Sequence, residues 1–134
     1  MRYLLIVKIT LILAGIIGIT VGIGQLFFPI AFEGSTGITL SNNTSLLSEF
    51  HGAGGTLLGA GIIILIGAFS TAIRGFALML TALFYLGYGI ARLYGMLADG
   101  LPNEGLIVVT VIEVVIGTLA LVLYRQYKRQ QFAR

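Results

Sequence analysis

The chain contains no cysteine and little charge, with eight Lys and Arg and five Asp and Glu among 134 residues. The absence of cysteine excludes disulfides, thiolate metal sites, haem attachment through Cys-x-x-Cys-His and a cysteine nucleophile. Charged residues make up 10% of the sequence, against about 25% in an ordinary soluble domain. So few charges cannot cover the surface of a soluble fold in which 57% of residues are hydrophobic. A mean hydropathy of +1.03 agrees, and lipid is the expected solvent for most of the chain. The net charge of +3 does not point to nucleic acid. The basic residues fall at the ends of apolar runs, where they act as orientation determinants.

What the sequence does contain is four apolar runs, each near the 20 residues needed to cross a hydrocarbon core of about 30 Å. The runs cover about 3–28, 46–69, 75–98 and 105–124. The first ends at Pro29 and is followed by a Ser/Thr/Asn/Gly-rich stretch to Ser45, read as a polar loop. Ser70 to Arg74 make a short turn, and Asp99-Gly100-Leu101-Pro102-Asn103-Glu104 a tight one with Gly and Pro punctuation. The first run is longer than the core of a signal peptide and no Ala-x-Ala follows it, so it is expected to stay as a span. The fold class expected is all-α, a polytopic membrane four-helix bundle forming one domain over 1–134.

Arg2 and Lys8 flank the first span, Arg74 lies between the second and third, and Arg125, Lys128, Arg129 and Arg134 follow the fourth. Four spans place all seven on one side, which the positive-inside rule makes the cytoplasm of a bacterial inner membrane, N-in and C-in. The opposite loops carry Glu33, Asp99 and Glu104. Asn42-Asn43-Thr44 and Asn43-Thr44-Ser45 match a glycosylation pattern, but are read here as a polar turn.

Helices meet in lipid through small residues. Gly15, Gly18 and Gly22, continued by Gln25, form one stripe; Gly52, Gly55 and Gly59 form a second; Thr110, Glu113, Gly117 and Ala120 form a third. Residues three and four apart share a helix face, so each stripe is expected to face the bundle interior. The run His51 to Thr56 is no phosphate loop, since it lacks both a preceding strand and a Gly-Lys-Ser/Thr ending.

The expected site is a polar cluster inside the membrane. Along the third span Tyr85, Tyr88, Arg92, Gly95 and Asp99 recur every three or four residues as a polar face. At 1.5 Å per residue, Arg92 lies about 9 Å and Glu113 about 12 Å below the outer helix ends. Glu49 and His51 sit within two turns of the same end. Charges this deep face inward and pair, so Arg92 is expected beside Glu113 and Glu49. Two acids near one guanidinium leave negative charge to be balanced by a proton, by His51 or by a ligand cation. The cluster is read either as a lock on helix register or as a pocket opening outward. A metal site on His51, Glu49 and Glu113 has no diagnostic ligand spacing, and none is expected.

Glu49-Phe50-His51-Gly52-Ala53-Gly54-Gly55, the segment Arg92 to Pro102 with Arg92 seven residues before Asp99-Gly100-Leu101-Pro102, and Glu113 with Gly117 together resemble a family of small bacterial four-helix membrane proteins. It is catalogued as domain-of-unknown-function family 4345, and the resemblance covers nearly the whole chain. It implies the four-helix fold and a site at those acids and that arginine, with no role for His51. The architecture is also similar, at fold level, to DoxX-like membrane proteins, some linked to quinone-dependent oxidation.

Three functions compete. The first is a membrane protein whose outward pocket binds a small, lipid-like or quinone-like molecule, or which serves as an accessory subunit, among membrane lipids and as part of a homo-oligomer or larger complex. The second is a membrane enzyme using Glu113 or Glu49 with His51 as acid and base. The third is an oligomeric proton-coupled transporter, although no broken-helix pair or inverted repeat supports it. No cofactor motif is present.

Overall fold

A computed structural model describes residues 2–132, which form five helices and, among the described residues, no strand. These are α1 (Arg2–Phe27), α2 (Pro29–Ser35), α3 (Thr44–Phe69), α4 (Arg74–Asp99) and α5 (Glu104–Phe132). Arg134, counted above for orientation, lies outside the described residues. The four long helices are long and apolar enough to cross a membrane, as expected of a multi-pass membrane protein.

The helix boundaries follow local chemistry. Pro29 disfavours helical geometry at Phe28, and α1 stops there. Pro29 then occupies the first turn of α2, where a missing N–H costs nothing. The stretch expected as a continuous loop thus contains a helix. α2 ends in a turn in which the Thr36 and Ile38 N–H groups both donate to the Glu33 carbonyl. Gly37 adopts φ +83° there, a conformation that a side chain would strain. α3 starts at Thr44 because the Asn43 side chain accepts from the Ser45 and Leu46 N–H groups, at 2.9 and 3.2 Å. This N-cap is what the Asn-Asn-Thr-Ser run provides. The fourth long helix continues past Tyr124 to Phe132, because the Arg, Lys and Gln of that segment are good helix formers.

The long helices associate as two pairs, α1 with α3 and α4 with α5, joined through α3 and α4. Glycine sets the approach of α1 to α3. A Cβ added at Gly18 would lie 3.2 Å from Gly61 Cα, and one at Gly22 would lie 2.9 Å from the Gly54 carbonyl oxygen. The first stripe therefore packs inward as expected. The second does not: added Cβ atoms at Gly52, Gly55 and Gly59 meet nothing. Gly54 and Gly61 are the α3 residues that meet α1. Seven residues apart, Gly54 and Gly61 share one face of α3, and Gly52, Gly55 and Gly59 lie on another. On α5, Thr110 and Ala120 are buried, and an added Cβ at Gly117 would strike Leu86 of α4.

The pairs close on each other at the end that carries the basic residues. Val7 and Leu11 of α1, Ile64 and Ala68 of α3, and Ala77 and Leu78 of α4 form the core there. The Tyr3 hydroxyl donates to the Leu123 carbonyl at 2.8 Å, and Arg74 donates to the Gly67 and Ala68 carbonyls at the end of α3. No more than 33% of the residues in any spanning window are buried. The rest of each apolar surface, including Leu5, Leu13, Ile66, Leu83 and Val111, is far more than a water-soluble monomer exposes.

Candidate functional site

Away from that core the two helix pairs diverge and leave a cavity of about 280 Å³ at the end where α2 lies. Its floor is set by Tyr85 of α4, whose buried hydroxyl donates to the Ala14 carbonyl of α1 at 2.7 Å. This bond is a buried polar link between the pairs. Above it the walls are mostly aliphatic: Ile17 and Val21 of α1, Leu57 and Ile64 of α3, Val109 and Ile112 of α5. Besides Tyr85, the polar side chains lining this space are Gln25 of α1, Glu33 of α2 and Thr36 just after it, Tyr88 and Arg92 of α4, and Glu113 of α5.

Arg92 Nε lies 3.1 Å from Glu113 Oε2. The two atoms are buried, yet the N–H is not directed for a hydrogen bond, and neither atom has another partner. The Arg92 side chain is 33% exposed and that of Glu113 13%, so the pair lies at the cavity's edge rather than in a dry core. The Arg92 guanidinium also stands 6.0 Å from the centre of the Tyr88 ring, within cation–π range. One turn separates Tyr88 from Arg92, and the i, i+4 relation on α4 brings them together.

Glu33 is 5% exposed. Gln25 Nε2 donates to its Oε1 at 3.1 Å, leaving Gln25 Oε1 buried without a donor. α2 turns this acid inward because Phe32, one residue earlier, packs against Gly24. Asn103, just before α5, fixes the far side of α2: its Nδ2 donates to the Thr36 carbonyl at 2.9 Å, while its Oδ1 caps Leu106 N.

The seven residues expected at the site divide. Tyr85, Tyr88, Arg92 and Glu113 line the cavity. Asp99 is exposed and lines a separate shallow groove with Gly95, Pro102 and Thr110, which Arg92 borders from the other side. Glu49 and His51 do not join them. Both are exposed on α3, and His51 Nδ1 lies 2.7 Å from the Leu26 carbonyl oxygen. They share the outward side of α3 with Gly52 and Gly55, so the pairing of Glu49 with Arg92 does not form. Among the described residues no three His, Asp or Glu side chains gather as metal ligands.

Glu33 and Gln25 were the residues missed. Gln25 carried a signal, as the continuation of the Gly15, Gly18, Gly22 stripe. Glu33 carried a weaker one: it follows Pro29-Ile30-Ala31-Phe32, where proline opens a helical turn with a bulky apolar residue beside the acid.

A family model described as a domain of unknown function (DUF4345) matches residues 6–124. No curated protein and no solved structure matches the chain.

Proposed function

The chain belongs to the DUF4345 family, and from that premise we propose that it is a bacterial inner-membrane protein that binds a small lipid-like molecule in the cavity between its two helix pairs. The basic end faces the cytoplasm and α2 lies at the outer face, as the positive-inside rule requires. The observation that carries this reading is the cavity's composition. Polar side chains from four elements converge on a space whose walls are mostly aliphatic and aromatic. Ligand pockets are built this way, with a few polar groups fixing orientation on an apolar wall. Divergence of the pairs is also costly unless something fills it, since unfilled space forfeits packing contacts.

Catalysis by a glutamate with His51 finds no support in this arrangement, because His51 lies outside the cavity. A lock on helix register is the competing account of Arg92 and Glu113. Native mass spectrometry of protein extracted gently from its membrane separates the two. The binding reading expects a retained molecule of defined mass that is lost in Val21→Phe, which fills the cavity. A lock expects nothing retained and only a lower unfolding temperature in Arg92→Ala.

A further inference from the structure

The polar groups facing the cavity are unbalanced in charge, and the imbalance centres on Glu33. Glu33 and Glu113 bring two carboxylates and Arg92 one guanidinium, so the ionised set carries one negative charge more than positive. Among the described residues the one ion pair is Arg92 with Glu113, and Glu33 has only the Gln25 amide. Other donors near Glu33 are already engaged. The Tyr85 hydroxyl donates to Ala14, the Thr36 hydroxyl to the Glu33 backbone carbonyl, and Gln25 Nε2 to Glu33. Gln25 Oε1, Glu113 Oε2 and Arg92 Nε are buried without a hydrogen bond, the last two facing each other as the ion pair. The donors left free, on Arg92 and Tyr88, stand on the Glu113 side, so Glu33 and Gln25 Oε1 are acceptors without a cation or further donor.

From this we infer that the ligand is a cationic amphiphile: an alkyl-chain amine whose ammonium group takes its acceptors from Glu33, Gln25 and Glu113 while its chain lies on the aliphatic wall. The inference rests on the cavity being a binding site, and it specifies the chemistry of what binds. An ammonium carries three donors, one positive charge and no acceptor, which is the complement of Glu33 and Gln25 Oε1. An anionic head group would add a second uncompensated negative charge in apolar surroundings, where unpaired charge is most costly. A quinone brings only carbonyl acceptors and leaves the Glu33 charge without a partner. The surroundings of the mouth favour cations as well. Asp99 and Glu104 are exposed at this end of the bundle, and acids near an opening raise the local concentration of cations.

The absence of tryptophan supplies the readout. Phe84→Trp places a single indole at the cavity wall. With this protein in phosphatidylcholine nanodiscs at neutral pH, dodecylamine, 1-dodecanol and dodecanoate are titrated separately while tryptophan emission is followed. Dodecylamine is expected to saturate the change at a concentration at least about tenfold below either of the others. Adding Glu33→Gln is expected to abolish that preference, and adding Val21→Phe to abolish the saturable change. Equal or tighter binding of dodecanol or dodecanoate, lost in Val21→Phe, overturns the amine inference and leaves the binding cavity standing. Persistence of the amine preference in a folded Glu33→Gln protein also overturns it. An amine response that Val21→Phe does not alter, or no response to any probe, overturns both. If Glu33→Gln does not fold, the order of the three probes on Phe84→Trp decides alone.

Discussion

Gln25 on α1 donates through Nε2 to Glu33 Oε1 on α2, 3.1 Å away and eight residues along the chain. Between them lie the end of α1, the break at Phe28 and the first turn of α2. The bond therefore fixes the angle at which the short helix folds back over the bundle. It also holds Glu33 on the wall that Arg92 and Glu113 complete. A hydrogen bond to a charged group contributes about 1.5–3 kcal/mol, which is substantial for a seven-residue helix that cannot persist alone.

Asn103 tests how α2 is held. Asn103→Ala removes both the cap on α5 and the bond to Thr36, and is expected to cost about 1 kcal/mol or more. Asn103→Asp keeps the capping acceptor but loses the donor to Thr36. Global unfolding should then stay close to wild type while amide hydrogen exchange rises selectively across residues 29–37. Uniform exchange in Asn103→Asp would show that the contact does not hold α2.

The glycines divide into packed and open sets. Gly61→Val would press a side chain onto the backbone of α1, where an added Cβ lies 2.7 Å from Ile19 N. Overpacking of this kind costs about 1–3 kcal/mol. Gly52→Ala and Gly59→Ala meet nothing and should hold or raise stability by up to about 1 kcal/mol, as alanine replaces glycine in a helix. Circular dichroism during thermal unfolding in detergent checks the contrast.

Arg92 and Glu113 should behave as a coupled pair. Breaking a fully buried pair costs about 3–5 kcal/mol; with Arg92 33% exposed, Arg92→Ala should cost less. The double variant Arg92→Ala/Glu113→Gln should recover part of the loss, because no carboxylate is then left without its cation. Additive losses in denaturant unfolding would mean the two side chains do not interact.

Much of this architecture was legible in the sequence because lipid imposes simple rules. Run length and charge scarcity predicted four long apolar helices, and the Gly15, Gly18, Gly22 stripe predicted a face of α1. The polar face of α4 through Tyr85, Tyr88 and Arg92 was readable from i, i+3 and i+4 spacing. Depth along a helix, however, says nothing about azimuth. Glu49 and His51 lie at the expected depth, but they fall on the open side of α3. Glu33 was misplaced for the converse reason. A stretch rich in polar residues reads as solvent-exposed, whereas one proline and one bulky aromatic suffice to fold it back onto the bundle.

Orientation can be read with single cysteines, since the chain has none of its own. Ser35→Cys on α2 and Thr71→Cys in the α3–α4 turn are both exposed positions. A membrane-impermeant maleimide applied to spheroplasts should label Ser35→Cys directly and Thr71→Cys only after the membrane is opened. The reverse pattern would invert the assigned topology.

The occupant of the cavity is tested most directly in the native membrane. A leucine-sized diazirine amino acid at Leu57, on the cavity wall, is compared with the same residue at Leu13, which is 56% exposed on the outer surface of α1. After irradiation, the adducts are identified by mass. A discrete adduct at position 57, absent at position 13 and lost when Val21→Phe is added, is the predicted result. The same bulk phospholipid adducts at both positions would contradict a dedicated binding cavity.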